Sequence, residues 1–179
     1  TPDIDTEVIE LETAVVGTGD LSELALGWCT YNGDHMSMYG VNGTVPKTLI
    51  RWIIETVAED AHFAASKAVL MDILDTPISP ELLPPDAKGE IAQQTESIVG
   101  PYALHDFFLY HIVRHGFEPE KIYFLAKKAF ANDFDGETIL KWLRTFYRRF
   151  FTQQFKRNCV PDSVKIGSAG LSPVTDWKM

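Results

Sequence analysis

Apolar residues fall at helical spacing through most of this chain, and the stretches are separated by glycine, proline and small polar caps. From Val45 to about Glu59, residues Leu49, Ile50, Ile53, Ile54 and Val57 share one face of a helix. Thr44 stands where its N-cap belongs, and Pro46 falls in the first turn, where a missing N–H is harmless. Asp60 is placed to cap a second helix through Phe63, Val69, Leu70 and Ile73. Ser79 caps a single turn opened by Pro80. Leu83 to Ser97 is polar, with Pro84-Pro85 and Lys88-Gly89, and reads as a mobile loop or lid. Gly100-Pro101 opens a helix to His115 that Gly116 stops, with Leu104, Phe107, Phe108, His111 and Ile112 in register. Pro119 opens another, Glu120 to Phe130, and Asp135 or Asp133 caps the last, which reaches about Phe155. That helix carries an aromatic stripe, Trp142, Phe146, Phe150 and Phe151, whose spacing marks core. Arg144, Arg148 and Arg149 then belong to the solvated face or pair with acids. Lys156 and Arg157 suit the helix C-terminus, where the dipole favours cations.

One stretch, Val15 to Thr48, breaks this rhythm with glycine and polar punctuation. Thr13 to Val16 is short, apolar and partly β-branched, the pattern of a buried strand. Gly17-Thr18-Gly19 permits a sharp turn. Asp20 with Glu23 three residues on makes a capping box for a helix Leu21 to Leu26, which Gly27 ends. Strand, glycine turn and helix N-terminus is the order in which α/β proteins present N–H groups to phosphates. An isolated GTGD is equally a well-capped turn, and neither GxGxxG nor GxxxxGK[ST] is present. Trp28-Cys29-Thr30-Tyr31 sets two aromatics beside the polar loop Asn32-Gly33-Asp34-His35. Such aromatics stack on a base or belong to the core. Lys47, in a helical first turn that disfavours cations, is explained by a bound anion or as a solvated lysine.

The chain has 179 residues and a net charge of -9, which excludes nonspecific binding to nucleic-acid backbones while leaving room for a local anion site. The basic residues beside the last helix's aromatics do not change that. Cys29 and Cys159 are far apart and in no metal-ligand spacing, the usage of a reduced, cytoplasmic protein. No apolar run is long enough to cross a bilayer, so no membrane partner is expected. His111 and His115 have the i, i+4 spacing of two metal ligands, but no glutamate between them and no third ligand support a zinc site. No Ser-His-Asp or Cys-His pair stands out as a nucleophile. The tail Lys165 to Gly170 is small and flexible in composition, able to fold over a site.

The run GTGDLSELALGWCTYNGDHMS…VNGTVPKTL resembles the synthetase domain of glutamine-dependent NAD synthetases. Ile98-Val99-Gly100-Pro101 through Asp106-Phe107, and Gln154-Phe155-Lys156-Arg157 through Leu171-Ser172-Pro173 with Asp176-Trp177, fit the same family. The resemblance covers nearly everything from Val15 to Met179. It implies an α/β fold of the adenine-nucleotide α-hydrolase type, a Rossmann-like parallel sheet with this portion mostly helical. It implies ATP-dependent amidation of deamido-NAD to NAD: ATP adenylates the nicotinate carboxylate, and ammonia derived from glutamine displaces AMP. By position it assigns Thr18, Lys47 and Ser79 to ATP. Glu23, Trp28, Cys29, Thr30, Tyr31 and Lys156 go to deamido-NAD, with Glu23 also facing Mg²⁺. A homodimeric contact beside the substrate site is implied too. The family's Ser-Gly-Gly-x-Asp-Ser phosphate loop, its Glu-Asn-x-Gln-Ala-Arg segment and its glutaminase domain have no counterpart here. The chain therefore reads, over 1–179, as a C-terminal part of such an enzyme, catalytically inert by itself. The alternatives are a different ATP-pyrophosphatase amidotransferase and a purely substrate-binding or dimerising piece.

Overall fold

The computed structural model describes residues 14–33, 37–76, 95–161, 163–172 and 176–177. Two short strands, β1 (Val16–Gly17) and β2 (Tyr39–Gly40), pair in parallel with Val16 opposite Tyr39. Gly40 forms a further parallel bridge to Ser163, so β2 lies between β1 and the chain after the last helix. The helices are α1 (Leu21–Leu26), α2 (Lys47–Ala58), α3 (Lys67–Asp75), α4 (Thr95–Val99), α5 (Tyr102–His115), α6 (Pro119–Ala129), α7 (Gly136–Thr152) and α8 (Gln154–Arg157). A 3₁₀ turn, Ala61–Ser66, capped by Asp60, leads into α3. Helix outnumbers strand because the polar interruptions sit between helical periods rather than within them.

The core lies where α5, α6 and α7 meet α1. Phe108, Phe146 and Phe150 are its largest fully buried side chains, closed in by Leu21, Leu26, Leu104, Ile122 and Ile139. The rings of Phe146 and Phe150 stack at 5.5 Å, and Phe108 meets Phe146 edge-on at 5.9 Å. Each such side chain contributes roughly 1.5–3 kcal/mol through removal from water, so this layer is the main anchor of the fold. Phe151, expected in the stripe, is instead on the outside, because it lies about 100° round the helix from Phe150. Trp142 is half-buried.

His105 is buried among these rings, its Nε2 2.6 Å from the Val99 carbonyl oxygen and its ring stacked on Phe146. Burial drives its pKa down to about 4. The folded state therefore holds His105 neutral while the unfolded chain protonates it below the ordinary value of 6.5. Its contribution is complete above that value and is lost as pH falls towards 4, a difference of about 3 kcal/mol. The expected result is that His105→Gln flattens the decline of urea stability between pH 7 and pH 4.5. An unchanged decline would remove His105 from the acid sensitivity of the fold.

The second layer is less covered. α2 and α3 pack on each other, burying Ala58 and Leu74, while Trp52 (60 % exposed), Val69 (61 %), Leu49, Ile53, Phe63 and Ile73 face outward. Val15 and Val16 were expected to be buried but are more than half exposed, since among the described residues β1 has a strand neighbour on one side alone. Thr44 is not the N-cap of α2; Pro46 is, and the helix starts at Lys47. The Thr44 hydroxyl accepts from the N–H groups of Ile166 (2.9 Å) and Gly167 (3.2 Å) and is 3.2 Å from the Val164 carbonyl oxygen. The tail is thereby tied to the strand region: Ala169 and Gly170 are buried, while Lys165, Ile166 and Ser168 are exposed. Residues 95–97, read with the polar loop, begin α4, and the remainder of that loop, 83–94, lies outside the described residues.

Candidate functional site

α1 begins as its sequence requires. The Asp20 carboxylate accepts from the Glu23 N–H (2.9 Å), and the Glu23 carboxylate accepts from the Asp20 N–H (3.2 Å). Beside this box stands Lys47, whose ammonium lies 2.7 Å from Asp20 and 2.9 Å from Glu23 and 5.3 Å from the centre of the Tyr102 ring. The pair of carboxylates accounts for a cation in the first turn of α2 without any further anion. Burial raises the pKa of both acids, with Lys47 offsetting part of the cost. Burial works against the Lys47 charge, but its two carboxylates outweigh that and hold its pKa above the ordinary value.

Behind the cluster, Asp106 of α5 supplies the cap that α2 lacks locally. It accepts from the Thr48 N–H (3.0 Å), the Thr48 hydroxyl (2.7 Å) and the Ser22 hydroxyl. Ser22 Oγ accepts from the Lys47 N–H at 2.8 Å. The N-termini of α1 and α2 are thus joined through a third helix. Burial pushes the Asp106 pKa up while these donors pull against it.

The C-terminus of α1 is held by cations. Gly27 takes the left-handed conformation (φ 57°) and caps the helix. The carbonyls beyond need donors, and they come from α7 and α8. Arg149 Nε–H donates to Leu26 (2.9 Å). Arg157 Nη1 donates to Leu24 and Ala25 (3.3 and 3.2 Å), and its Nη2 to Phe150 (2.6 Å). Lys156 Nζ donates to Gly27 (2.9 Å) and Cys29 (2.7 Å). Tyr31 meets the Phe155 ring at 5.5 Å.

Between these two clusters opens a cleft enclosing about 700 Å³, part of it continuous with solvent. Its walls are Gly17, Gly19, Gly40 and Gly43 at the carboxyl ends of the strands; Glu23, Leu24 and Cys29; and Ser37, Arg157, Val160, Pro161, Ser163, Leu171 and Ser172. Crevices at the carboxyl ends of parallel strands are where open α/β sheets bind ligands. Gly43 is required by close packing, since a Cβ there would run into the Ser163 side chain, whereas at Gly19 the nearest atom is Glu23 Oε2 at 3.9 Å. Close packing thus leaves Gly19 unexplained.

Of the residues singled out from the sequence, Glu23 and Cys29 line this cleft, and Thr18 sits exposed between two of its glycines. Lys47 reaches it through Glu23, and Lys156 through the Cys29 carbonyl. Trp28 packs against the core with the Arg149 guanidinium 5.0 Å from its ring, while Thr30 and Tyr31 are exposed beside it. Ser79, Asp34 and His35 lie outside the described residues. His111 and His115 have rings 5.6 Å apart and stack on Phe117, and no group of three metal-ligating side chains occurs among the described residues. Among the described residues the cleft is lined by one carboxylate, that of the partly exposed Glu23, each of whose oxygens already accepts one N–H donor. That suits Mg²⁺, which keeps water and phosphate oxygens as most of its ligands. Sequence reasoning missed Ser22, Asp106, Arg149 and Arg157; an aspartate facing inward on an apolar helix was the one available signal.

No family model matches the chain. It is 42 % identical over 184 aligned residues to the glutamine-dependent NAD(+) synthetase of Mycobacterium leprae (strain TN). It is 44 % identical to the enzymes of that name from Mycobacterium bovis (strain ATCC BAA-935 / AF2122/97) and Mycobacterium tuberculosis (strain CDC 1551 / Oshkosh). Each comparison takes in 92 % of this chain and 27 % of the relative, so the chain spans about a quarter of the length of the relatives it matches. A crystal structure of a glutamine-dependent NAD(+) synthetase from Cytophaga hutchinsonii superposes with a TM-score of 0.66 over 93 % of this chain and 24 % of that one, at 16 % identity. The fold is thereby shown to be Rossmann-like, of the adenine-nucleotide α-hydrolase type, with this portion mostly helical. Among the described residues no helix is long and apolar enough to cross a membrane.

Proposed function

For a chain that is homologous to a segment of the glutamine-dependent NAD synthetases, we propose a share in ATP-dependent amidation of deamido-NAD to NAD. The cleft at the carboxyl ends of the parallel strands carries this reading, because it joins an open glycine turn to Cys29, within the Trp28–Tyr31 segment. In the reaction the nicotinate carboxylate attacks the α-phosphate of ATP, pyrophosphate leaves, and ammonia from glutamine then displaces AMP. Such a reaction asks of the protein alignment and charge neutralisation rather than a covalent nucleophile.

Thr18 and Lys47 would face ATP, and Trp28, Cys29, Thr30, Tyr31 and Lys156 the dinucleotide. Glu23 would hold Mg²⁺, whose charge offsets that of the phosphates. No Ser-Gly-Gly-x-Asp-Ser run occurs in this sequence, and the chain by itself is proposed to bind the dinucleotide without turning it over. The outward apolar face of α2 and α3 favours a second copy as partner; sedimentation that stays monomeric at high concentration would count against that.

The test is calorimetric titration of deamido-NAD into this chain and into Lys156→Ala. Saturable binding, weakened about tenfold or more by the substitution (1.4 kcal/mol per decade), is the expected result. Absence of binding by the folded chain, repeated in a longer chain that includes a phosphate loop, would overturn the assignment.

A further inference from the structure

We infer that Arg149 is the positioning residue of the dinucleotide pocket, holding the Trp28–Tyr31 segment from outside the motif that carries it. Its single guanidinium makes two different kinds of contact, one with the backbone just before that segment and one with its first side chain. Nε–H donates to the Leu26 carbonyl at 2.9 Å and Nη2 approaches the Gly27 carbonyl at 3.5 Å. The same group lies 5.0 Å from the centre of the Trp28 ring. The fork thus donates to the backbone while its central carbon lies over the indole, so that one group holds both the ring and the chain before it.

Neighbouring contacts leave the segment little freedom. The Trp28 N–H is tied to the Glu23 carbonyl at 3.0 Å, and Lys156 spans the Gly27 and Cys29 carbonyls. Arg149 adds a contact from α7 to the Trp28 side chain. A lysine in its place could donate to a carbonyl or sit over the ring, but an ammonium has no planar edge with which to do both. Preorganising a binding segment raises affinity by removing the entropy cost of ordering it on association. Arg149 is therefore assigned an effect on dinucleotide affinity without a contact to the ligand.

This assignment rests on the proposal that Trp28–Tyr31 faces deamido-NAD, and the test separates the two. Arg149→Met, which keeps the apolar stem, and Arg149→Lys, which keeps the charge, are compared with the unaltered chain. Three quantities are measured: deamido-NAD affinity by calorimetry, thermal midpoint, and amide hydrogen exchange at residues 28–31 and in α5. The expected result is a Kd about tenfold weaker for Arg149→Met, with smaller loss for Arg149→Lys. Exchange should be faster at 28–31 and unchanged in α5. Dinucleotide binding by Arg149→Met as tight as that of the unaltered chain overturns the inference. So does equal acceleration of exchange in α5, which would make Arg149 a general support of the fold. An unaltered chain that fails to bind counts against the functional reading; unchanged exchange at 28–31 then overturns the role of Arg149 as well.

Discussion

Arg157→Met is expected to lower the thermal midpoint of this chain by about 10 °C. Arg157 is 3 % exposed, and burial pushes its pKa down to about 10, still well above neutral pH. Methionine retains the apolar stem against Phe150 but removes every donor. The carbonyls of Leu24, Ala25 and Phe150 would lose those hydrogen bonds where water has little access. A buried acceptor left unpaired costs roughly 1–3 kcal/mol, so the three together cost at least about 3 kcal/mol. In a chain of this size each kcal/mol shifts the midpoint by about 2–4 °C. Arg157→Lys, with one short donor group, should fall between the two. A loss under about 2 °C in a thermal melt would mean that water enters and replaces the guanidinium.

Gly100→Ala is expected to be at least as damaging, for a different reason. Gly100 has φ +100°, a conformation that side-chain-bearing residues rarely adopt, and an added Cβ would stand 2.5 Å from Cδ2 and Cε3 of Trp142 and 3.0 Å from Nε2 of His105. The backbone strain costs about 1–3 kcal/mol, and forcing an atom into a packed core about 1–3 more. Gly116→Ala isolates the first cost, since Gly116 has φ +61° with nothing within 4 Å of its absent Cβ. Urea unfolding should show Gly116→Ala reduced by about 1 kcal/mol and Gly100→Ala by several times that, at unchanged m-value. Equal losses for the two would show that the Trp142 ring moves aside freely.

What the sequence made legible was what it encodes within one helical turn. The Asp20–Glu23 capping box, the glycine stops at Gly27 and Gly116 and the Asp135 cap are all present, because each depends on residues three or four apart. The kinship to NAD synthetases was legible from the Val15–Thr48 run and its two companions. Contacts that span the chain were not. Thr44 looked like an N-cap because its partners, Ile166 and Gly167, are over a hundred positions away. Arg149 looked like a solvated or acid-paired charge, and Arg157 like a complement to its own helix dipole, because nothing near them in sequence says that carbonyls of α1 will arrive beside them. Lys47 invited an anion because Asp20 and Glu23 lie too far back to be read as its neighbours. Val15 and Val16 read as buried by composition, which says nothing about how many strands flank them.

The Thr44 clasp has a consequence for the order in which the molecule assembles. α5, α6 and α7 follow one another along the chain, and their mutual contacts close over short loops, the fast class of folding event. The bridge from Gly40 to Ser163 and the clasp from Thr44 to Ile166 each close a loop of more than a hundred residues, which costs more chain entropy. The helical layer is expected to form first and the glycine-lined strands to be zipped on last. By the same reasoning they open first, as a sub-global unit of low stability. Amide exchange at Ile166 and Gly167 faster than at Phe108 and Phe146 would bear this out; equal protection would mean a single cooperative unit. The half of the molecule proposed to meet nucleotides would then be the half most readily tightened by them.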